Sequence, residues 1–181
     1  MVKKWKIASE TELLKTRPFA VVQRIFDKPD GMGTFEAHVL KIPNWVNIMP
    51  VTPDQRVILI RQYRFGSDRI ELEFPGGTID EGEDPHHAAA RELEEETGFK
   101  PLTIRQLGVV NSNPAIQTNK CFSFYAEVHT KGSQHLDEDE IIDVEYANFE
   151  DLFRYIKTGE ITNPYVIMTF FWYLTEKGLK I

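Results

Sequence analysis

Residues Gly76–Phe99 read GGTIDEGEDPHHAAARELEEETGF and carry more glutamate than a helix needs to stay solvated. Asp84 is a suitable N-cap, Pro85 suits the first helical position and Gly98 suits the end, so the pattern predicts a helix over 85–97. The preceding segment PGGTIDEGE has the composition of a turn-rich loop. One loop and one helix therefore carry the acids.

The acids of the predicted helix lie on one side of it. At about 100° per residue, Glu92, Glu95 and Glu96 share one arc, while Leu93 falls on a separate, apolar arc. Like charges three and four residues apart repel, and Arg91 alone does not neutralise all of them. Crowded oxygen ligands suit Mg²⁺ or Mn²⁺, which combine carboxylates with phosphate oxygens of a substrate. The alternative is an acidic helix face that is simply solvated.

The composition is that of one globular domain. Hydrophobic residues make up 41% of the 181 residues and the net charge is -7, which argues against binding to nucleic acid or to an anionic membrane. An anionic substrate would therefore need local cations. Cys121 is the single cysteine, which excludes a disulfide framework, and no apolar run reaches the length of a membrane span. We expect a cytoplasmic protein.

The remaining chain alternates strand-like runs with a few helices. The runs rich in β-branched and aromatic residues are 18–26, 35–42, 44–51, 56–65, 102–110, 120–129 and 141–149. Two further helices are predicted over 149–159 and 163–178, the second with Asn163 as its cap and Pro164 at its first position. This order of elements predicts an α/β or α+β fold.

The acidic segment fits a known sequence motif at every fixed position. The box of the Nudix hydrolases is written GX5EX7REUXEEXGU, where U is an apolar residue, and the chain resembles that family on this box. The matching residues are Gly77, Glu83, Arg91, Glu92, Leu93, Glu95, Glu96, Gly98 and Phe99. A match at that many defined positions is specific.

The resemblance implies a Nudix fold, an α/β/α sandwich around a mixed β-sheet, with antiparallel strands at the N-terminus. We expect residues 1–50 to form those N-terminal strands, with nucleotide-pocket and dimer contacts. Residues 51–181 are expected to form the Nudix hydrolase domain, the whole being a single structural unit. The resemblance also implies a homodimer.

The resemblance assigns roles to residues of the box. Glu92, Glu95 and Glu96 correspond to ligands of Mg²⁺ or Mn²⁺, and the backbone carbonyl of Gly76 to a further ligand. Glu96 also counts with the catalytic residues, because such metals activate water and neutralise a pyrophosphate.

Other residues of the box correspond to a structural brace between the loop and the helix. Arg91 and Glu83 correspond to the pair that ties the loop to the helix, and Arg91 is thereby placed with the catalytic residues. Gly77 belongs to the same brace, whereas Glu94 is expected to point to solvent.

Residues outside the box resemble the subgroup that hydrolyses ADP-ribose and related nucleoside diphosphate sugars. The approach LIRQYRFGSDRIELEFPGG places Arg64 and Glu73 where that subgroup contacts its substrate. Either Phe19 or Trp5, both expected in the N-terminal strands, corresponds to a base-stacking position. Pro114, sixteen residues after Gly98, matches a position associated with ADP-ribose. The surrounding NSNPAIQTNK departs from well-known members, so the base and the sugar stay open.

The resemblance also predicts an acidic loop that supplies the general base. Residues 135–142, HLDEDEII, fit because they lie between two strand-like runs. Glu140 is the first candidate and Glu138 the second, since a loop residue can move to within about 3 Å of the attacking water. A solvated turn is the alternative for any one of these acids.

Three functions follow from the resemblance. The first is hydrolysis of a nucleoside diphosphate sugar, ADP-ribose or an ADP-sugar, to a nucleoside monophosphate and a sugar phosphate. The second is hydrolysis of a dinucleoside polyphosphate or a nucleoside triphosphate. The third is a non-catalytic module that senses a nucleotide, against which the complete set of acids argues.

Overall fold

The computed structural model describes residues 1–138 and 140–178, which form two compact units. The first unit comprises Met1–Asn44 and Val110–Lys120, and the second comprises Trp45–Val109 together with the chain from Cys121 onward.

The first unit is built on a three-stranded antiparallel sheet in the order β1-β2-β3. Its strands are β1 (Lys6–Lys15), β2 (Ala20–Asp27) and β3 (Thr34–Lys41). Antiparallel strands at the N-terminus were predicted and are confirmed, but the sequence patterns did not predict β1. Every residue of β1 is exposed, so this strand lacks the buried face that an alternating pattern would reveal.

The second unit contains a mixed sheet of six strands. The strands are β4 (Trp45–Val51), β5 (Val57–Arg64), β6 (Arg69–Glu73), β7 (Phe99–Asn111), β8 (Lys120–Lys131) and β9 (Ile142–Ala147). Their order is β6-β5-β4-β8-β7, with β9 also paired to β5. Strand β4 runs parallel to β8, whereas β5 runs antiparallel to its neighbours β4, β6 and β9. Strand β4 is buried on both faces, as is usual for a strand with a parallel partner and a covered sheet.

Among the described residues, three helices pack on this sheet: α1 (Pro85–Thr97), α2 (Phe149–Thr158) and α3 (Pro164–Glu176). The predicted N-caps Asp84 and Asn163 accept backbone N–H bonds at the starts of α1 and α3. Gly98 ends α1 in the left-handed conformation, where glycine has no Cβ penalty. The helix bounds therefore follow the predictions closely.

The two faces of the sheet carry separate hydrophobic cores. Ile58 of β5 packs with Leu93 of α1 in one core, and its neighbour Leu59 packs with Leu152 of α2 and Phe170 of α3 in the other. Successive side chains of a strand point to opposite faces, so one strand serves both cores. The predicted α/β/α sandwich, an α+β Nudix-type arrangement, is confirmed.

The single cysteine is inert in this fold. Cys121 is buried and free, and burial raises the pKa of its thiol to about 12. No helix among the described residues is long and apolar enough to cross a membrane.

Candidate active site

The glycine loop before α1 lies directly against β4. The Val46 N–H donates to the Gly77 carbonyl at 2.9 Å, and Trp45 forms a β-bridge with Thr78. A Cβ on Gly76 would stand 2.2 Å from the Val46 carbonyl oxygen. Only glycine therefore allows this loop to run so close to the strand.

Arg91 is the centre of an ion-pair cluster that joins the loop to α1. Its Nε and Nη2 donate to the two oxygens of Glu83, each at 3.0 Å. Its Nη1 donates to Glu92 and to Glu95, each at 2.9 Å, and Nη2 also reaches the Thr78 carbonyl at 3.1 Å. The resemblance implied the pair with Glu83, and the structure shows that Arg91 also bonds to Glu92 and Glu95 of the helix. Such a bidentate, charge-assisted pair fixes the loop geometrically.

Glu96 is the most deeply buried acid of the box. Only 3% of the residue is exposed, and its Oε2 accepts the Gly76 N–H at 2.7 Å. Burial raises the pKa of this carboxyl well above its ordinary value, and the charges of Glu92 and Glu140 raise it further. The Gly76 hydrogen bond and the positive charge of Arg64 oppose that rise in pKa.

The pKa of Glu92 is raised as well. Burial raises the pKa of Glu92 to about 7, although Arg91 opposes the shift. The charges of Glu95 and Glu140 add to the rise in pKa. Glu92 therefore interacts with both other acids: it shares the Arg91 donor with Glu95, and its charge acts on Glu96.

The donor set suits a divalent cation in its chemistry. No group of three or more His, Cys, Asp or Glu side chains among residues 1–138 and 140–178 has the arrangement of a metal site. Glu92 and Glu95 bond to Arg91 instead, and Glu96 bonds to the Gly76 N–H. All of these donors are oxygen atoms, and Glu92 and Glu96 carry raised pKa values that a cation would lower. Mg²⁺ and Mn²⁺ prefer oxygen ligands, so the residues fit such an ion in their chemistry.

Glu94 lies apart from this cluster. Its carboxylate pairs with Lys100 at 3.0 Å, and its side chain is about one-third exposed. The predicted solvent-facing position of Glu94 is therefore right in direction, with an ion pair that the helical pattern did not indicate.

Arg64 and Glu73 bond to each other. The Arg64 Nε and Nη2 donate to Glu73 Oε2 at 2.9 and 2.6 Å, and only 3% of Glu73 is exposed. The other oxygen of Glu73 accepts from Asn163 Nδ2 at 2.7 Å. The sequence predicted Asn163 only as a helix cap, because its contact with Glu73 spans 90 residues of chain and leaves no local signal.

The acidic loop after β8 approaches the same carboxylates. Glu138 and Glu140 are both exposed, and the charge of Glu140 raises the pKa values of Glu92 and Glu96. Glu140 donates its N–H to the Asp137 carbonyl at 3.0 Å. Asp139, between the two candidates, lies outside the described residues.

The start of this loop is fixed to the C-terminal end of α1. The Gly132 N–H donates to the Gly98 carbonyl at 2.6 Å, and the His135 N–H donates to the Glu95 carbonyl at 2.9 Å. The Gln134 amide donates to the Glu96 carbonyl at 2.7 Å and to the Ile142 carbonyl at 3.3 Å. These bonds use carbonyls that a helix end leaves without helical partners. Gln134, which the sequence did not single out, thus holds both ends of the loop.

The predicted aromatic contacts belong to the first unit. Phe19 lies in the turn between β1 and β2, where Thr16 Oγ1 donates to its carbonyl at 2.8 Å. Trp5 and Pro114 line an open cavity of about 580 Å³ within that unit, together with Arg24 and Phe35. The role of Phe19 in substrate binding stays a prediction.

Comparison with known proteins shows the family and the fold of this chain. A family profile described as NUDIX domain matches residues 43–170. An ADP-ribose pyrophosphatase of Bacillus subtilis (strain 168) is 29% identical over 135 residues, covering 74% of this chain and 72% of the relative. A methanol dehydrogenase activator of Bacillus methanolicus is 27% identical over 154 residues, covering 84% and 83%. The crystal structure of an ADP compounds hydrolase superimposes with a TM-score of 0.83 at 23% identity, covering 98% of both chains, which supports the fold alone.

Proposed function

This chain belongs to the Nudix hydrolase family, whose members act on pyrophosphate bonds. From that premise we propose that it hydrolyses a nucleoside diphosphate sugar, ADP-ribose or an ADP-sugar, to a nucleoside monophosphate and a sugar phosphate. The observation that carries the proposal is the crowding of Glu92, Glu95 and Glu96 around Arg91 and Gly76. Support for the substrate comes from the relative named ADP-ribose pyrophosphatase, which is similar over most of its length.

Nudix enzymes typically use a divalent metal, and we assign Mg²⁺ or Mn²⁺ to this one. Glu92, Glu95 and Glu96 would hold it with the Gly76 carbonyl. Such an ion supplies neutralisation of the pyrophosphate and a lowered pKa of bound water. The protein's part is to keep these oxygens together, which it does through the bonds of Arg91 to Glu83, Glu92 and Glu95.

The remaining steps belong to side chains around the carboxylates. Arg64 binds a phosphate oxygen of the substrate, a contact that a protein of net charge -7 needs. Glu140 accepts the proton of the attacking water, since its charge already acts on Glu92 and Glu96. Glu138 is the second candidate for that role. Because Gln134 fixes the start of the loop, the base would reach the water by a movement of the loop beyond Gln134.

A substrate screen tests the proposed activity. Phosphate release, after phosphatase treatment where needed, is measured for ADP-ribose, other nucleotide sugars, dinucleoside polyphosphates and nucleoside triphosphates, each with Mg²⁺ or Mn²⁺. We expect ADP-ribose or an ADP-sugar to show the highest kcat/KM. A clear preference for a polyphosphate or a triphosphate would replace the proposed substrate, and the lack of any turnover would favour the sensing module.

A pair of variants tests the metal assignment. Glu96→Gln keeps an oxygen that can accept the Gly76 N–H but removes the charge, so we expect turnover to be abolished while the melting temperature is retained. Glu94→Gln is the matched control, because Glu94 lies on the same helix and pairs with Lys100. Magnesium-dependent turnover by Glu96→Gln at the rate of the Glu94→Gln control would contradict the assignment.

The same proposal includes a homodimer. Strand β1 is an edge strand, paired only to β2 among the described residues, and all of its residues are exposed. Exposed edges of this kind pair readily with another chain. Sedimentation velocity gives the mass in solution, and a monomer at micromolar concentration would contradict this part of the proposal.

A further inference from the structure

Asn163 uses the two ends of one amide for two different contacts. Its Oδ1 accepts the Tyr165 N–H at 2.8 Å and so caps α3. Its Nδ2 donates to Glu73 Oε1 at 2.7 Å. Capping needs only an oxygen, and serine provides one equally well. The Nδ2 contact is therefore a separate feature of this asparagine.

Glu73 joins Asn163 to Arg64. One carboxylate oxygen is bonded to Asn163, and the other accepts both the Nε and the Nη2 of Arg64. The residue is 3% exposed, so water does not compete for these oxygens. A buried carboxylate with both oxygens bonded has a fixed plane, and its arginine partner inherits that orientation.

Arg64 is the exposed end of this chain of contacts. Its side chain is 44% exposed, and the two donors that bind Glu73 lie on one edge of the guanidinium. The edge that carries Nη1 remains directed away from Glu73. Glu73 stands three residues before Gly76, whose N–H binds the carboxylate of Glu96. Through Glu73, the guanidinium of Arg64 is thus attached to the stretch of chain that reaches the carboxylate of Glu96.

We propose that Asn163 is a positioning residue that fixes the carboxylate of Glu73, which in turn orients Arg64 toward a phosphate oxygen of a nucleoside diphosphate. Glu73 acts by holding Arg64 and has no contact with the substrate in this scheme. The inference rests on the proposed function, because it takes Arg64 as a phosphate contact.

Loss of the Nδ2 donor has a definite consequence. One buried oxygen of Glu73 would lose its partner, which is costly for a charged group. The carboxylate would then rotate so that both oxygens bond to Arg64, and the guanidinium would turn with it. Affinity for a diphosphate should fall, while the chemical step, carried by other residues, should change little.

The experiment compares matched substitutions at two helix caps. Asn163→Ser retains a capping oxygen and removes the Nδ2 donor. Asn148→Ser makes the same change at the N-cap of α2, where Asn148 accepts the Asp151 N–H at 2.7 Å. Binding of ADP in the presence of Mg²⁺ is measured by calorimetry for both variants, for Arg64→Ala and for the Asn163→Ser/Arg64→Ala double variant. Melting temperatures and ADP-ribose kinetics are measured in parallel.

We expect Asn163→Ser to weaken ADP binding about tenfold and to raise KM similarly, with kcat within about twofold. Its melting temperature should lie below that of Asn148→Ser, because only Asn163→Ser removes a hydrogen bond from a buried carboxylate. In the double variant the Asn163 substitution should cost nothing beyond Arg64→Ala, because both act on one contact. An Asn163→Ser protein that binds ADP like Asn148→Ser would overturn the proposal, and so would effects that add in the double variant.

The outcome is separable from that of the substrate screen. Wild-type protein that binds ADP but hydrolyses no ADP-ribose would remove the proposed substrate, while the ADP comparison would still test Asn163. An Arg64→Ala protein that binds ADP as tightly as the wild type would overturn the positioning role whatever the substrate.

Discussion

Substitution of Gly77 by alanine should impair metal binding while leaving the stability of the fold nearly unchanged. A Cβ added there would stand 2.6 Å from the carboxylate carbon and from both oxygens of Glu92, whereas ordinary contact begins at 3.4 Å. In Gly77→Ala the carboxylate must therefore move by about 0.8 Å, the difference between these two distances. Mg²⁺ requires ligands at about 2.0–2.1 Å in near-octahedral geometry, and ligand distances tolerate only about 0.2 Å of error.

The stability of Gly77→Ala should change little. Only the end of a flexible side chain has to give way, and an off-rotamer side chain costs about 1 kcal/mol. Replacing glycine by alanine in a permitted conformation stabilises by about 0.4–1 kcal/mol through the unfolded chain, which offsets that cost. We therefore expect a melting temperature close to that of the wild type and a Mg²⁺ concentration for half-maximal rate that rises about 10–100-fold.

Two other glycines provide controls in the same assay, a Mg²⁺ titration of ADP-ribose hydrolysis with thermal melts. Gly66→Ala places its Cβ in open space and should match the wild type in both measurements. Gly76→Ala collides with the backbone of Val46 at 2.2 Å, so it should lose about 2–3 kcal/mol of stability. Wild-type Mg²⁺ dependence in Gly77→Ala would refute the role of Glu92 as a ligand. A melting temperature of Gly77→Ala as low as that of Gly76→Ala would show that this substitution does not separate metal binding from stability.

Three further predictions concern the loop and the pH dependence. Glu140→Gln should lower kcat by at least about 100-fold with KM little changed, and an unaffected rate alongside an impaired Glu138→Gln would transfer the base to Glu138. Gln134→Ala removes the hydrogen bonds that hold both ends of the loop to the Glu96 and Ile142 carbonyls. We expect kcat to fall about tenfold while the Mg²⁺ requirement is retained. A wild-type kcat would show that these two hydrogen bonds are not needed for catalysis. Without metal, in EDTA, the folded protein holds the proton of Glu92 more tightly than the unfolded chain does, because the pKa of Glu92 is raised from 4.5 to about 7. The stability that the protonated carboxyl contributes is therefore fully present below pH 4.5 and is lost as the pH rises through 7. Chemical denaturation should therefore show that the free energy of unfolding of the wild type falls by up to about 3 kcal/mol relative to Glu92→Gln over that pH range. Mg²⁺ should restore the lost stability at pH 7.5. Parallel curves of unfolding free energy against pH for the two proteins would contradict this prediction.

The strands that the sequence missed show where local patterns fail. Strand β1 is exposed along its whole length, so neither face carries an apolar stripe. Strand β6 has only five residues, and two of them, Glu71 and Glu73, are buried acids. A buried strand is usually recognised by a run of apolar residues, which β6 lacks. Burial of Glu73 is possible because Arg64 and Asn163 satisfy its oxygens, and Asn163 lies 90 residues away in the sequence.

The sequence by itself determined the loop and helix of the box and the spacing of its acids. Caps, helical period and the choice of glycine act over a few residues, so Asp84, Gly98 and the arc of Glu92, Glu95 and Glu96 could be predicted from neighbours in the chain. The tertiary structure alone decided which partners those acids meet. The parallel pairing of β4 with β8, the contact of Asn163 with Glu73 and the attachment of Gln134 to α1 all join distant segments. Such contacts form only when the two cores close on the sheet, because burial, not local propensity, brings these side chains together.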